Sequence, residues 1–363
     1  MILHIIPREK FENDYITRIN SLFNPAEHLF FVHGLEDKYG LPKLDCENVI
    51  YADSYLLILT LLWKTYSIAS KIIVHGLPSI RSRFFLITLF VLDFIFHKPV
   101  AWAIWGGDLY ADHRIELTIE RSPKNCLKRF KIFLRKRLIS RIKIAVVATD
   151  EDYENLVRWY KTNAKKFFAT YHYDLMMPPT EDRISSNDSK INVMVGHCAF
   201  DNCQHIETFK LLEKYKGRIR IYSPLSYGDK KYAEKVIQAG NDMFGSDFIA
   251  LTEYMNSTDY TKFLSAIDVG FFNNNQQHGN GNIVRMLYLG KKLFISPQNS
   301  LYKTYRDNGA FLYLFPSEFS DETFFTPFTD EQKKACTDAI NSIYSDESFR
   351  RNWEAVFNAL KGF

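Results

Sequence analysis

A chain of 363 residues, 46% hydrophobic and 24% charged, is long enough for two folded domains with separate cores, which excludes a disordered chain or one small domain. The net charge of +4 is unevenly spread: residues 1–180 carry 25 Lys and Arg against 19 Asp and Glu, residues 181–363 carry 21 against 23, so the first half is the one suited to an anionic surface. Five cysteines without a C-x-x-C pair argue against a disulfide framework and for a reducing compartment, and the N-terminus MILHIIPREK reaches charge and proline too soon for a signal peptide.

The first half reads as alternating strand and helix. Apolar runs at 2–6, 28–34, 49–52, 71–76, 99–106 and 143–149 predict strands, with helical segments between most of them. Short β-rich runs ending in Gly, His or Asp predict a parallel sheet wound on both faces, and ligands of such sheets lie beyond the carboxyl ends of the strands. That rule selects His33, His75, Gly76, Gly106, Gly107 and Asp108. Asp108 follows two glycines at a strand end and is the favoured general base, with an N-cap role as its alternative; His75 is the reserve base or a core histidine, and His33 a weaker candidate.

FFLITLFVLDFIF (84–96) is the most apolar stretch, yet thirteen residues with Asp93 inside are too few to span a bilayer, so a buried helix is expected, with shallow membrane insertion as the alternative. From Arg121 to Lys143 ten cations occur without an acid, interleaved with Phe130, Phe133, Leu134 and Leu138. Such a segment suits anionic lipid, and Lys128, Arg129, Lys131, Arg135, Lys136 and Arg137 are its candidate membrane-binding residues; a solvated basic face is the alternative. No nucleic-acid recognition motif accompanies it. Asp150–Asp152 could hold a metal, but acids at a predicted helix start favour capping.

Residues 176–190 are polar, proline-bearing and aperiodic, which predicts a linker. The expected organisation is an N-terminal acceptor-binding, membrane-facing domain over 1–178, a linker over 179–190 and a C-terminal donor domain over 191–345. A last helix within 346–363 is a candidate to cross back. The second α/β series begins with INVMVGH (191–197). His197, Cys198, Cys203 and His205 match no common zinc spacing, so no metal is expected. Ser223, Ser226 and Tyr227 end the next strand and are candidates for base or diphosphate contact, or for a turn. Ser257 or Thr258 is the expected cap of a later helix.

Residues 267–296 then give strand, polar loop, helix and strand. At that helix start the backbone N–H groups of Asn280, Gly281, Asn282 and Ile283 are expected to be unpaired, with the helix dipole behind them and glycines allowing close approach. This suits a diphosphate. Two doubly wound domains, the second presenting such a helix start, describe a nucleotide-sugar glycosyltransferase of the two-Rossmann type; a periplasmic-type sugar-binding module is the rival that the absent leader and the cysteines oppose.

WGGDLY (105–110), VGHCAFDNCQHIE (195–207), SPLSYGDKKYAEKVIQAG (223–240) and FLSAIDVGFFNNNQQHGNGNI (263–283) occur in order across both halves. In these the chain resembles the TDP-N-acetylfucosamine:lipid II N-acetylfucosaminyltransferases of enterobacterial common antigen synthesis, glycosyltransferase family 56. The resemblance implies a GT-B fold of two Rossmann-like domains across a cleft. It implies transfer of a 4-acetamido-4,6-dideoxygalactose-like sugar from a nucleoside diphosphate to a polyprenyl-diphosphate-linked saccharide, without cofactor or metal, by a cytoplasmic enzyme peripheral on the bacterial inner membrane. Gly196 and His197, with Asn275, Gln276, Gln277 and Gly279 to Asn282, are the donor-binding residues it implies. The chain departs from the family in carrying Asn275 where an Arg is usual, Ala148–Asp152 as AlaThrAspGluAsp, and more cations over 121–143.

Overall fold

Among the described residues, thirteen short strands rich in Ile, Val and Phe build two sheets, each wholly parallel. The computed structural model describes residues 1–9, 11–35, 40–80, 82–119, 122–171 and 190–363. The chain divides into one unit of Met1–Tyr173 with Asp346–Phe363 and a second of Asp174–Ser345. The expected linker, apart from Lys190, lies outside the described residues.

In the first unit the strands are β1 (Ile2–Pro7), β2 (His28–His33), β3 (Val49–Ala52), β4 (Lys71–His75), β5 (Val100–Ala103), β6 (Ile144–Val147) and β7 (Lys165–Phe168), in the order β3-β2-β1-β4-β5-β6-β7. Their helices are α1 (Glu12–Leu22), α2 (Tyr55–Ile68), α3 (Arg83–Phe96), α4 (Gly107–Thr118), α5 (Cys126–Arg141) and α6 (Asp150–Tyr160). In the second unit β8 (Ile191–Val195), β9 (Ile219–Pro224), β10 (Phe248–Leu251), β11 (Val269–Phe272), β12 (Lys292–Ile295) and β13 (Tyr313–Leu314) run in the order β10-β9-β8-β11-β12-β13. Their helices are α7 (His205–Leu212), α8 (Lys230–Phe244), α9 (Ser257–Ser265), α10 (Asn280–Tyr288), α11 (Leu301–Asp307), α12 (Asp321–Phe325) and α13 (Asp330–Tyr344). The strand order reverses between β1 and β4 in one sheet and between β8 and β11 in the other, so these are the crevices where doubly wound sheets take ligands.

Successive strand residues point to opposite faces, and the first sheet uses both. Leu3, Ile5, Phe31, Val74 and Trp102 pack with Leu62, Leu86, Leu138 and Leu156 of α2, α3, α5 and α6. Ile2, Ile6, Phe30, Ile73 and Val146 pack instead with Tyr15 and Ile16 of α1 and with Trp353, Val356 and Phe357. The latter three lie on the last helix, α14 (Asp346–Lys361), which belongs to the first unit although it follows the second in sequence. Trp353 Nε1 donates to the Thr170 carbonyl at 3.1 Å, and Arg18 pairs with Asp346.

Local signals set several ends. Thr149, not the acidic triplet, caps α6 by accepting from Asp152 N–H, and Asp150, Glu151 and Asp152 fill the helix's first turn, at the end that the helix dipole makes positive. The cap of α9 is Asn256 rather than Ser257 or Thr258, because its carboxamide oxygen reaches the Asp259 N–H at 2.9 Å. The expected buried helix over 84–96 is buried on one side only: Phe85, Leu86, Leu89 and Leu92 enter the core while Val91, Phe94 and Ile95 face solvent.

Candidate active site

In the first unit, loops after β4 and β5 meet through Asp108. Its Oδ2 accepts from Leu77 N–H at 2.9 Å and from Trp102 Nε1 at 2.7 Å, and its Oδ1 from Trp105 N–H at 3.0 Å. Burial raises its pKa, opposed by these donors and by Arg135. This corrects the expected role of Asp108 as a free base: a carboxylate holding three donors in place has little acceptor capacity left for a sugar hydroxyl.

His75 is corrected in the same way. It is fully buried, and its Nε2 hydrogen-bonds His4 Nδ1 at 3.1 Å while its Nδ1 bonds Tyr171 Oη. His4 Nε2 in turn meets His28 Nδ1 at 3.0 Å, giving a row of three imidazoles across β4, β1 and β2. Burial lowers the pKa of His75 to about 3 and of His28 to about 4, and holds His4 well below the usual value. His33, also lowered to about 3 by burial, is half-buried with its ring tilted 31° to that of Phe85. The three histidines of the row are neutral core histidines.

The basic segment divides by helical face. Arg135 is fully buried, its Nε paired with Asp112 Oδ2 at 2.8 Å and its Nη2 bonded to the Asp108 carbonyl, and Lys131 is buried too. These two are corrections to the lipid-binding set: their cations belong to the fold. Lys128, Arg129 and Arg137 are exposed, as is Lys136, which pairs with Glu116 at 2.8 Å.

In the second unit the segment after β11 is tied down at several points rather than loose. Asn273 Nδ2 donates to Thr208 Oγ1, Asn275 N–H to the Asn202 carbonyl, and Asn299 Nδ2 to the His278 carbonyl at 3.0 Å. Asn275, Gln276 and Gln277 are at least partly open to solvent. Gly279 then adopts φ +82°, a conformation that favours glycine, and caps α10. Its carbonyl accepts from the N–H groups of Asn282 and Ile283 at 3.0 and 3.1 Å, so those two are not free donors, contrary to expectation. The Gly281 N–H makes no hydrogen bond among the described residues. The Asn280 side chain is occupied by Tyr305 and Tyr344, so it is through the backbone of the first turn that Asn280 would meet a donor.

Gly196, φ +70°, lies where a Cβ would stand 2.2 Å from His205 Nε2. The close approach of an imidazole and the positive φ together demand this glycine. His197 is likewise buried, its ring turned toward Cys198, Cys203 and His278. That gathering differs from the cluster weighed in the sequence by having His278 in place of His205. Ser223 is buried and its Oγ lacks a partner among the described residues, while Ser226 and Tyr227 are exposed in a turn fixed by Ala199 N–H to the Tyr227 carbonyl at 2.8 Å.

Residues 17–361 match the family described as 4-alpha-L-fucosyltransferase, glycosyl transferase group 56. The chain belongs to that family. As a group 56 member it shares its fold with glycosyltransferases of the GT-B class. Sucrose-phosphate synthase from Thermosynechococcus elongatus superposes with a TM-score of 0.71 at 10% identity, over 100% of this chain and 99% of that one. A glycosyltransferase from Rickettsia africae gives 0.70 at 11%, over 99% and 98%. HepE of Anabaena, solved in complex with UDP, gives 0.66 at 12%, over 99% and 100%. The likeness at these identities is one of fold.

Sequence reasoning missed His278, Asn274, Asn202 and Asn299 as a group. His278 stands 75 residues beyond Cys203, and only the pairing of β8 with β11 brings them together.

Proposed function

We propose that this group 56 member transfers a deoxy- or amino-deoxy sugar from a nucleoside diphosphate to a polyprenyl-diphosphate-linked saccharide. The observation that carries the reading is the start of α10 at the switch point of the second sheet. There Gly279 turns the chain, the Gly281 N–H makes no hydrogen bond among the described residues, and Gln276 and Gln277 flank the first turn. The positive end of the helix dipole stabilises a leaving diphosphate as its charge grows, so the transfer needs no divalent cation on the phosphates. HepE of Anabaena was solved with UDP, which favours a uridine or related pyrimidine donor as the second reading beside a thymidine one.

The lipid-linked acceptor is supported by the surface of the first unit. α3 touches both α2 and α5, and the three helices expose Leu56, Trp63, Phe94, Phe130 and Phe133 beside Lys128, Arg129 and Arg137. Exposed aromatic and aliphatic groups with cations on α5 beside them match an anionic bilayer, with attraction of about 1 kcal/mol per cation. Among the described residues no helix is long and apolar enough to cross a membrane, so the attachment proposed is peripheral, on the cytoplasmic leaflet.

A thermal-shift screen of TDP, UDP and GDP sugars tests the donor, since a ligand bound only by the folded state raises the melting temperature. A rise with one of them, unchanged when Mg²⁺ is withheld, is the expected result; no response to any nucleotide sugar overturns the reading.

A further inference from the structure

We infer that His197, Cys198, Cys203 and His278 form a zinc site that locks the loop after β8 to the loop after β11. One donor atom from each of the four lies within 4.8 Å of every other. Cys198 Sγ is 3.5 Å from Cys203 Sγ and 3.3 Å from His197 Nε2, and Cys203 Sγ is 3.8 Å from His197 Nδ1. Metal–sulfur bonds near 2.3 Å and metal–nitrogen bonds near 2.0 Å in a tetrahedron demand ligand separations of roughly 3.3–3.8 Å. The two sulfurs, and Cys198 Sγ with His197 Nε2, already stand at that spacing, and the four donors, within 4.8 Å of one another, need only small side-chain shifts to close around one ion. A disulfide would need the sulfurs about 2.05 Å apart, well inside the separation seen.

The ligand chemistry selects the ion. Two thiols and two imidazoles, four protein ligands with no open position, suit zinc in a structural rather than a catalytic site. Binding releases the two thiol protons to solvent, and two thiolates with two neutral imidazoles leave the site without net charge. Supporting groups are in place around it: Asn274, fully buried, directs Nδ2 at Cys203 Sγ from 3.4 Å, and Asn202 Nδ2 meets His278 Nδ1 at 3.5 Å. Such partners orient the ligands and steady thiolate charge.

The position gives the site its consequence. β8 and β11 are the neighbouring strands on either side of the switch point, and His278 immediately precedes Gly279, the cap of α10. A Cβ on Gly279 would lie 3.0 Å from His197 Nδ1, so the ligand histidine and the helix start are in contact. The ion therefore fixes the segment bearing Gln276 and Gln277. That it thereby preorganises donor binding rests on the function proposed above; the site itself does not.

The test uses the full chain produced with zinc and kept reduced. Elemental analysis is expected to give about one zinc per chain, and cobalt exchange to give the thiolate charge-transfer and tetrahedral visible bands of a mixed sulfur–nitrogen site. Cys203→Ser and His278→Ala should lose the ion, and Cys336→Ser should keep it. Wild-type protein that holds no zinc after reconstitution, or shows a Cys198–Cys203 disulfide in its reduced preparation, overturns the site; these readings need no variant to fold. Stripping zinc should weaken nucleoside diphosphate binding roughly tenfold by reducing the competent fraction. Equal affinity with and without zinc overturns the locking role, whereas zinc-loaded protein that binds no nucleotide overturns the donor reading and leaves the site standing.

Discussion

At the scale of single residues, Asp108 shows how a carboxylate can sit where a base is expected and do something else. With Leu77 N–H, Trp102 Nε1 and Trp105 N–H all donating to it, Asp108→Asn would set an amide N–H₂ against donors. The expected cost is about 1–3 kcal/mol of stability, seen as a lower melting temperature. A variant of wild-type stability whose kcat alone falls a hundredfold or more would return Asp108 to the role of base. The row His28, His4 and His75 makes a second prediction, with Tyr15 and Tyr171 as its other polar neighbours. In the unfolded chain these histidines protonate near pH 6.5, whereas folded His75 does so only near 3 and His28 near 4, both held down by burial. The unfolded state thus binds more protons between those values, so the stability is fully present above pH 6.5 and drains as the pH falls toward 3. By pH 5 a group shifted this far costs on the order of 2 kcal/mol. Melting temperatures recorded from pH 7 to 5 should fall, and less steeply in His75→Gln; identical slopes in the two proteins would contradict the buried neutral row.

At the scale of elements, α10 concentrates what the second unit offers an anion. Gly281→Val would place a branched side chain beside the open N–H of the first turn, and nucleoside diphosphate affinity measured by calorimetry should drop about tenfold, equivalent to about 1.4 kcal/mol. Unchanged affinity would remove this helix start from the donor site. Why α10 was legible in the sequence, and its neighbours less so, follows from where the information lies. Ile283, Val284, Met286 and Leu287 are spaced to bury one helical face and do so, just as most strands announced themselves as apolar runs between turns. β7 escaped because KKFF carries two exposed lysines, and β13 because two residues make no pattern. Side-chain partners are another matter. The sequence does not show that Tyr305 and Tyr344 of α11 and α13 hold the Asn280 side chain, and Arg135 reads as one cation in ten until α4 supplies Asp112. Such pairings are set by the tertiary fold and leave no local period to detect.

At the scale of the whole molecule, the excess positive charge of residues 1–180 has to be divided between what holds the fold and what faces outward. Arg135 and Lys131 belong to the first class, and Lys128, Arg129, Lys136 and Arg137 to the second. The outward set lies on the same helix as Phe133, 61% exposed, and beside the helix that carries Phe94, 64% exposed. Replacing the four outward cations with Gln should therefore leave the melting temperature near that of the wild type while reducing affinity for anionic liposomes, read by co-sedimentation, roughly a thousandfold, at about 1 kcal/mol per cation. Raising the salt should weaken wild-type binding in the same direction, because exposed charges are screened within about 10 Å at 0.1 M. Arg135→Gln should do the reverse: breaking a buried ion pair strands Asp112 and costs about 3–5 kcal/mol of stability. Phe130 and Phe133 changed together to Ser should weaken liposome binding that persists at high salt, since their contribution is apolar. Transfer to a membrane-embedded acceptor should slow with liposome binding, yet transfer to a short soluble analogue should not. Wild-type protein that ignores anionic liposomes, or binds them equally well without the four cations and in high salt, would show that this face meets something other than a bilayer.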